Sequence, residues 1–298
     1  MKLVRFYLPA DRPRLGQLVG DRVYDLTASA LPAFSSLAAL LQASTETPLA
    51  ELVSRVDLAS LPSHAYAELD RAPVPGAAHL LPPVDRQEVW AAGVTYAWSR
   101  EARVREAVSK EIYVKVYEAE RPELFLKALP GKVAGPNDWV GIRGDSAWNV
   151  PEPELAVVIN PALQIVGYTV GNDMSSRDIE GENPLYLPQA KVYRHSCALG
   201  PAITVEDGTF DVTSLAIRLD IQRDDAIVYS GETSTSQIHR RLADLAAYLG
   251  RYEDFPQGAV LLTGTGIVPE DTFSLQDQDQ VIIEIEQVGV LRNAVQQM

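Results

Sequence analysis

Short runs with the two-residue alternation of β-strands dominate the sequence, and this pattern restricts the chain to a strand-rich fold. Turn residues separate these runs, of which three examples are IVGYTV at 165–170, LAIRLDIQ at 215–222 and QVIIEIEQVGVLRNAV at 280–295. Two segments instead have helical periodicity, one from Ser99 to Pro122 and one from Ser236, a candidate N-cap, to Gly250. Strand runs with segregated helices predict an α+β fold with an antiparallel or mixed sheet rather than a doubly wound one.

Prolines concentrate between residues 61 and 83, at a density that the interior of a helix or central strand would not tolerate. Before this segment, the first 26 residues indicate three strands, and a short helix is predicted around Phe34 to Leu41. We therefore predict a small N-terminal α/β domain at residues 1–80 and a larger domain, which would carry the functional site, at residues 83–298.

The net charge of −14 excludes several classes of partner. Such a charge repels phosphate backbones and anionic membranes, so neither nucleic acid nor membrane is an expected partner. No window approaches the roughly 20 apolar residues that span a bilayer, and a cytoplasmic protein is expected. The single cysteine, Cys197, is expected to be a buried apolar residue. An anionic substrate would need a bound cation or a few suitably placed lysine and arginine side chains.

Two glutamates stand two residues apart at the head of an apolar strand. In the sequence PEPELAVVI, Glu152 and Glu154 share one face of the strand, where their carboxylates repel each other. Burying them without compensation would cost several kcal/mol, and a hard cation would remove this penalty. The alternative is an exposed edge strand with two solvated acids, and the spacing alone leaves both interpretations open.

A third acid favours the cation. The strand IVGYTV ends shortly before Asp173, which places this residue at a strand-to-loop junction, where ligands are often presented. Three carboxylates with no histidine or cysteine partner suit Mg²⁺, Mn²⁺ or Ca²⁺ better than Zn²⁺. Asp178 and Glu180 follow closely, and the pattern alone does not exclude either of them.

An ordered series of motifs resembles the fumarylacetoacetate hydrolase family over residues 89–295. The motifs are GVTY at 93–96, ELFLK at 123–127, PEPELAVVI at 151–159, GYTVGNDMSSRD at 167–178, QAK at 189–191, GP at 200–201, LTGTG at 262–266 and GVLRN at 289–293. The resemblance implies that the larger domain is a catalytic domain folded as a rolled, mixed β-sandwich. The site residues that it implies are three metal ligands, Glu152, Glu154 and Asp173, and two residues of the substrate pocket, Lys191 and Thr265.

Further motifs are similar to a branch of that family that dehydrates 2-keto-3-deoxy sugar acids. They are RPE at 121–123, FLK at 125–127, PEPELAVV at 151–158, ENPLYLPQ at 182–189 and GTGIVP at 264–269. This likeness implies that Glu123 and Lys191 are the proton-transfer pair, in an order that the sequence leaves open. Arg100, as a carboxylate binder, Lys127 and Gln189 are the remaining candidates for contacts with the substrate.

One departure from the hydrolases of the family bears on the reaction. The hydrolases place a histidine three residues after the tyrosine of the first motif, whereas this chain has Ser99 after Tyr96. Because serine cannot act as a general base near neutral pH, dehydration is favoured over hydrolysis of a C–C bond. The resemblance therefore implies Mg²⁺-dependent conversion of a 2-keto-3-deoxy pentonate to 2,5-dioxopentanoate by a homo-oligomer, either a dimer or a tetramer. Acylpyruvate hydrolysis, oxaloacetate decarboxylation and a non-catalytic, metal-stabilised binding protein are the alternatives.

Overall fold

The computed structural model describes residues 1–9, 12–96, 115–209 and 211–298. Within these ranges, strands form most of the regular structure, as the alternating apolar residues predict. The strands are β1 (Lys2–Tyr7), β2 (Arg14–Val19), β3 (Arg22–Asp25), β4 (Ser63–Ala65), β5 (His79–Leu81), β6 (Glu88–Gly93), β7 (Glu123–Ala128), β8 (Val133–Ala134), β9 (Trp139–Ile142), β10 (Asn149–Val150), β11 (Pro153–Ile159), β12 (Ile165–Asp173), β13 (Ser175–Ser176), β14 (Cys197–Val205), β15 (Ala216–Arg223), β16 (Ala226–Ser234), β17 (Ala259–Leu262), β18 (Gln280–Ile285) and β19 (Gly289–Gln297).

The α-helices of the described ranges are short. They are α1 (Leu37–Ala43), α2 (Leu49–Ser54), α3 (Tyr66–Leu69), α4 (Arg177–Glu182), α5 (Leu187–Lys191) and α6 (Leu242–Leu249). Residues 115–118 are also helical, but most of the helix predicted from Ser99 to Pro122 lies outside the described residues. No helix in the described part of the chain has the length and apolar character needed to cross a membrane.

Two large sheets make up the architecture. A twelve-stranded sheet has the order β4-β3-β2-β1-β14-β12-β11-β17-β6-β7, with β5 paired to β1 and β8 paired to β14 outside this path. A five-stranded sheet has the order β16-β15-β18-β19-β9, and β10 and β13 form a separate pair. Most neighbouring strands are antiparallel, whereas β17 and β6, β14 and β8, and β19 and β9 run parallel. This arrangement confirms the predicted α+β class with a mixed sheet.

β11 lies in the interior of the large sheet and is buried along its whole length. On one face, Leu155 and Val157 belong to the same apolar cluster as Leu219 of the five-stranded sheet. On the opposite face, Ala156 belongs to a second cluster that includes Leu40 of α1. Because both faces are covered, the strand is a continuous apolar run rather than an alternating one.

The N-terminal segment shares a sheet and an apolar core with the rest of the chain. β1 pairs with β14. Asp85 also accepts hydrogen bonds from the backbone N–H groups of Leu37 and Ala38, at the start of α1. The division into domains at 1–80 and 83–298 stays a prediction about independent folding.

The predicted helix from Ser236 to Gly250 begins later than expected, at Leu242. The preceding residues bond to another part of the chain: Ile238 forms a β-bridge with Tyr96, and the N–H of His239 donates to the carbonyl of Thr95 at 2.9 Å. These tertiary hydrogen bonds hold the backbone outside the α-conformation, so the prediction that Ser236 is the N-cap was wrong.

The large sheet curls strongly enough to bring distant strands face to face. Three strands, β6, β17 and β11, separate β7 from β12 in the sheet order. In a flat sheet, four steps of about 4.8 Å would place the two strands about 19 Å apart. Lys127 of β7 nevertheless places its Nζ 2.5 Å from Oδ1 of Asp173 on β12. The predicted roll is therefore present, and the acidic residues lie inside its curve.

Candidate metal centre and active site

Glu152, Glu154 and Asp173 meet at one end of the paired strands β11 and β12. The N–H of Asp173 donates to the carbonyl of Glu152 at 3.0 Å, and Glu154 pairs in register with Gly171. One carboxylate oxygen from each of the three acids lies within 4.8 Å of the others. Their exposures are only 4%, 1% and 1% in chain order. The alternative of an exposed edge strand with solvated acids is wrong, because β11 lies between β12 and β17.

The charge state of Glu154 reflects this crowding. Burial is the largest cause that raises the pKa of Glu154 well above its usual value, and the negative charges of Asp173 and Glu152 add to it. The Lys191 ammonium and the N–H of Gly264, which donates to Glu154 Oε2 at 2.6 Å, act in the opposite direction. Three buried carboxylates in mutual repulsion fit a divalent cation that prefers oxygen ligands, because such a cation favours all three ionised forms.

Lys191 stands beside the acidic cluster. It is the last residue of α5, it is 2% exposed, and its Nζ lies 2.7 Å from Oε2 of Glu152 and 3.2 Å from Oδ2 of Asp173. An ammonium group at this position is attracted by both carboxylates and can move a proton within the site.

Lys127 of β7 also contacts the acidic cluster, through Asp173. Its side chain is fully buried, and its ammonium group reaches three acceptors: a carboxylate oxygen of Asp173, the carbonyl of Met174 at 2.8 Å and the carbonyl of Lys191. The two carbonyls accept hydrogen bonds from Nζ, and the carboxylate forms an ion pair with it. Lys127 is also absent from the lining of the cavity described next. Its assignment to substrate binding stays a prediction, and the geometry favours a structural role.

A cavity joins the acidic cluster to the other candidate residues. The lining comes from strands β6, β7, β11 and β12, from α4 and α5, and from the loop after β17. It consists of Ala92, Gly93, Val94, Glu123, Phe125, Glu152, Glu154, Asp173, Arg177, Glu180, Lys191, Gly264 and Thr265. The structure thus brings together six residues that the sequence singled out, Glu123, Lys191, Thr265 and the three acids.

Besides Lys127, three candidates from the sequence do not line this cavity. Gln189 is exposed, and its backbone carbonyl accepts a hydrogen bond from Arg143. Asp178 accepts from the hydroxyl of Ser146 and the N–H of Ala147, so it holds a loop in place. Arg100 lies outside the described residues. The substrate-binding roles of Arg100 and Gln189 stay predictions.

Arg177 and Glu180 of α4 also line the cavity. Sequence reasoning gave Arg177 no role and left Glu180 open as a possible ligand of the cation. Arg177 is 1% exposed and places Nη2 3.2 Å from Oε1 of Glu152, while Glu180 accepts from the hydroxyl of Ser175 at 2.8 Å. The available signal was the motif GYTVGNDMSSRD, in which Arg177 follows Asp173 by four residues. An arginine inside such a motif is a candidate for a buried ion pair.

Cys197, the first residue of β14, pairs in register with Asp173 of β12 and takes no part in the cavity lining. Burial raises the pKa of its thiol to about 12, so the nucleophilic thiolate is scarce near neutral pH. This agrees with the prediction of an apolar, unreactive cysteine.

A rolled mixed sheet with a buried three-carboxylate centre and a lysine beside it defines the chain as a candidate metal-dependent enzyme. Residues 88–296, more than two thirds of the chain, match the family model described as fumarylacetoacetate (FAA) hydrolase C-terminal. The chain belongs to the fumarylacetoacetate hydrolase family.

Two relatives and one solved structure to which the chain is similar are all named as sugar-acid dehydratases. The chain is 44% identical, over 91% of its length and 91% of the relative, to the probable 2-keto-3-deoxyxylonate dehydratase of Haloferax volcanii. It is 43% identical, over 70% of its length and 72% of the relative, to the 2-dehydro-3-deoxy-D-arabinonate dehydratase of Saccharolobus solfataricus. The solved structure of 2-keto-3-deoxy-D-arabinonate dehydratase complexed with magnesium and 2,5-dioxopentanoate has a TM-score of 0.82 at 32% identity, covering 100% of this chain and 99% of the other.

Proposed function

We propose that this chain is a Mg²⁺-dependent hydro-lyase that converts a 2-keto-3-deoxy pentonate to 2,5-dioxopentanoate. The observation that carries the proposal is the cavity in which Glu123 and Lys191 lie with the three buried carboxylates. The dehydratases at 43% and 44% identity support the substrate class. The related structure that holds magnesium and 2,5-dioxopentanoate supports the cation and the product.

Glu152, Glu154 and Asp173 would hold the cation through carboxylate oxygens, and Mn²⁺ or Ca²⁺ would suit the same donors. When bound, Mg²⁺ would polarise the 2-oxo group of the substrate and make the protons on C3 more acidic. The chain supplies the groups for proton transfer and the cavity in which they lie.

Glu123 and Lys191 are the proposed proton-transfer groups. One of them removes a proton from C3, and the other donates a proton to the hydroxyl group on C4. The C3–H and C4–O bonds break, a C3–C4 double bond forms and water leaves. Tautomerisation through C5 then gives 2,5-dioxopentanoate. Either assignment of base and acid satisfies this balance.

The character of the cavity favours elimination over hydrolysis. Among the described lining residues there is no histidine, and Phe125 and Val94 add apolar surface. A C–C hydrolase must activate a water molecule, whereas a dehydratase only releases one. Apart from the cation, the proposed reaction therefore needs no group beyond those that line the cavity.

The test is turnover of both enantiomers of a 2-keto-3-deoxy pentonate with Mg²⁺, because C4 is the one stereocentre left in such an acid. We expect a single product that retains five carbons. Glu123→Gln should lower kcat by about 10²- to 10⁴-fold and leave Mg²⁺ affinity unchanged. Glu118→Gln is the matched control, because Glu118 is exposed and absent from the cavity lining. Efficient cleavage of acylpyruvates or decarboxylation of oxaloacetate, with neither enantiomer consumed, would contradict the proposal.

We further propose that the chain acts in the cytoplasm in sugar-acid catabolism, as a dimer or tetramer of identical chains. The edge strand β16 supports assembly, because it presents Ile227 and Val228 at 54% and 41% exposure. Light scattering of the purified protein would give the mass, and a monomer at all concentrations would exclude the oligomer.

A further inference from the structure

The carboxylate of Glu123 reaches the cavity by lying across the backbone of the neighbouring strand. Gly93, the last residue of β6, pairs in register with Glu123, the first residue of β7. A Cβ atom built on Gly93 would lie 2.0 Å from Oε2 and 2.6 Å from Cδ of Glu123. Real Cβ atoms essentially never approach a heavy atom closer than 3.0 Å. The space that a side chain at position 93 would fill is therefore occupied by the carboxyl group of Glu123.

The backbone next to Gly93 is also unusual. Val94, which is 6% exposed and lines the cavity, has a φ of 51°. The left-handed region is unfavourable for a β-branched residue, and such strain persists only where the surroundings impose it. Here the chain turns away from the sheet directly after Gly93. Gly93 thus lies at the end of β6, beside the cavity, where a constrained backbone turn begins.

We infer that Gly93 is a positioning residue, which sets the place of the Glu123 carboxylate in the cavity through the absence of its own side chain. The inference rests on the proposed role of Glu123 in proton transfer. Gly93 has no side chain to take part in the reaction, and it acts through Glu123, whose atoms are the three nearest to a Cβ built at position 93.

The substitution Gly93→Ala should move the Glu123 carboxylate and leave the fold intact. The atoms that it would displace are the far end of a flexible side chain, so the fold can accommodate the new methyl group by moving that end. Gly93 does not have a φ in the left-handed region, so alanine adds no backbone strain there. The methyl group displaces the carboxylate that the proposed reaction needs for proton transfer.

The experiment is a double-mutant cycle of Gly93→Ala and Glu123→Gln, with Mg²⁺ present. Gly93→Ala should lower kcat by about 10²- to 10⁴-fold, as loss of the proton-transfer group would, and it should leave Mg²⁺ affinity and thermal stability close to those of the unmodified protein. The double variant should be no slower than Glu123→Gln alone, because both changes remove the same carboxylate from the same place. Gly131→Ala is the control, because a Cβ there would have no neighbour within 4 Å.

A crystal structure of the Gly93→Ala variant gives a readout that does not depend on activity. We expect the Glu123 carboxyl group to be withdrawn from the cavity while the three acids keep their positions. Effects on kcat that multiply in the double variant, or a Glu123 side chain that stays in place beside the new methyl group, would overturn the inference. If Glu123→Gln leaves turnover unchanged and the variant structure still shows displacement, the placement by Gly93 holds and the proton-transfer role of Glu123 fails.

Discussion

Glu154 is buried between two other carboxylates, so its substitution should affect stability and cation affinity in opposite directions. The raised pKa of Glu154 means that the folded, metal-free protein holds a proton that the unfolded chain releases above its ordinary pKa of 4.5. The stability of the metal-free protein therefore falls as the pH rises from about 4.5 towards the folded-state pKa. Glu154→Gln removes the charge and keeps the shape.

In EDTA, which keeps the protein metal-free, Glu154→Gln should raise the melting temperature more at pH 8 than at pH 5. Without EDTA, the same substitution should weaken Mg²⁺ binding at pH 8. Thermal unfolding and calorimetric titration measure the two effects. Glu182→Gln is the control, because Glu182 is an exposed residue on α4, outside the cavity. An equal shift for both variants would show that the buried charge is not the cause.

At the residue scale, the sequence predicted those contacts that local geometry determines. Glu152 and Glu154 could be placed on one face because the strand repeat puts alternate residues there. The contacts of Lys127 could not be predicted, because its partner Asp173 lies on a strand that three other strands separate from β7 in the sheet. The ion pair of Arg177 with Glu152 likewise depends on how α4 packs against the start of β11.

At the scale of the strands, tight packing inside the roll makes Gly171 a sensitive position. A Cβ atom on Gly171 of β12 would lie 2.2 Å from Cδ2 of Leu262 on β17, although β11 separates the two strands in the sheet. Gly171→Ala should therefore push β12 away from β17 and displace Asp173 from Glu154.

We expect Gly171→Ala to lower the free energy of unfolding by about 1–3 kcal/mol and to weaken Mg²⁺ binding. Urea denaturation and calorimetric titration would measure the two changes. Gly131→Ala is again the control, because the added methyl group meets open space. A Gly171→Ala protein with unchanged Mg²⁺ affinity would show that the strands tolerate the separation.

The strands themselves were largely predictable, because alternation and turn residues are local signals. The hairpin between β15 and β16 turns at Asp224 and Asp225, both in the left-handed conformation, which aspartate adopts more readily than most residues. The start of α6 was not predictable, since Ile238 and His239 bond to residues far earlier in the chain. The order of strands around the roll also arises from such long-range pairing.

At the scale of the whole molecule, removal of residues 1–82, the predicted small domain and the two residues after it, tests the predicted division of the chain. The fragment 83–298 would expose the side of β14 that pairs with β1, and it would uncover the apolar surface that Leu40 of α1 helps to cover. We expect this fragment to associate or aggregate, because an unpaired strand edge and an apolar surface both favour self-association.

Expression of the fragment 83–298, followed by circular dichroism and light scattering, checks this expectation. The full chain under the same conditions is the control. A soluble monomeric fragment with the Mg²⁺ affinity of the full chain would show that the larger domain folds alone.

The balance of charge around the cavity bears on the order in which ligands can arrive. Among the described residues, even with Glu154 protonated in the metal-free protein, the carboxylates of Glu123, Glu152, Asp173 and Glu180 outnumber the cationic groups of Lys127, Arg177 and Lys191. A sugar-acid anion approaching this surplus of negative charge is repelled, and a divalent cation cancels the surplus. The cation would therefore bind before the sugar acid. The concentration of free Mg²⁺ would then set the fraction of chains that can bind the substrate.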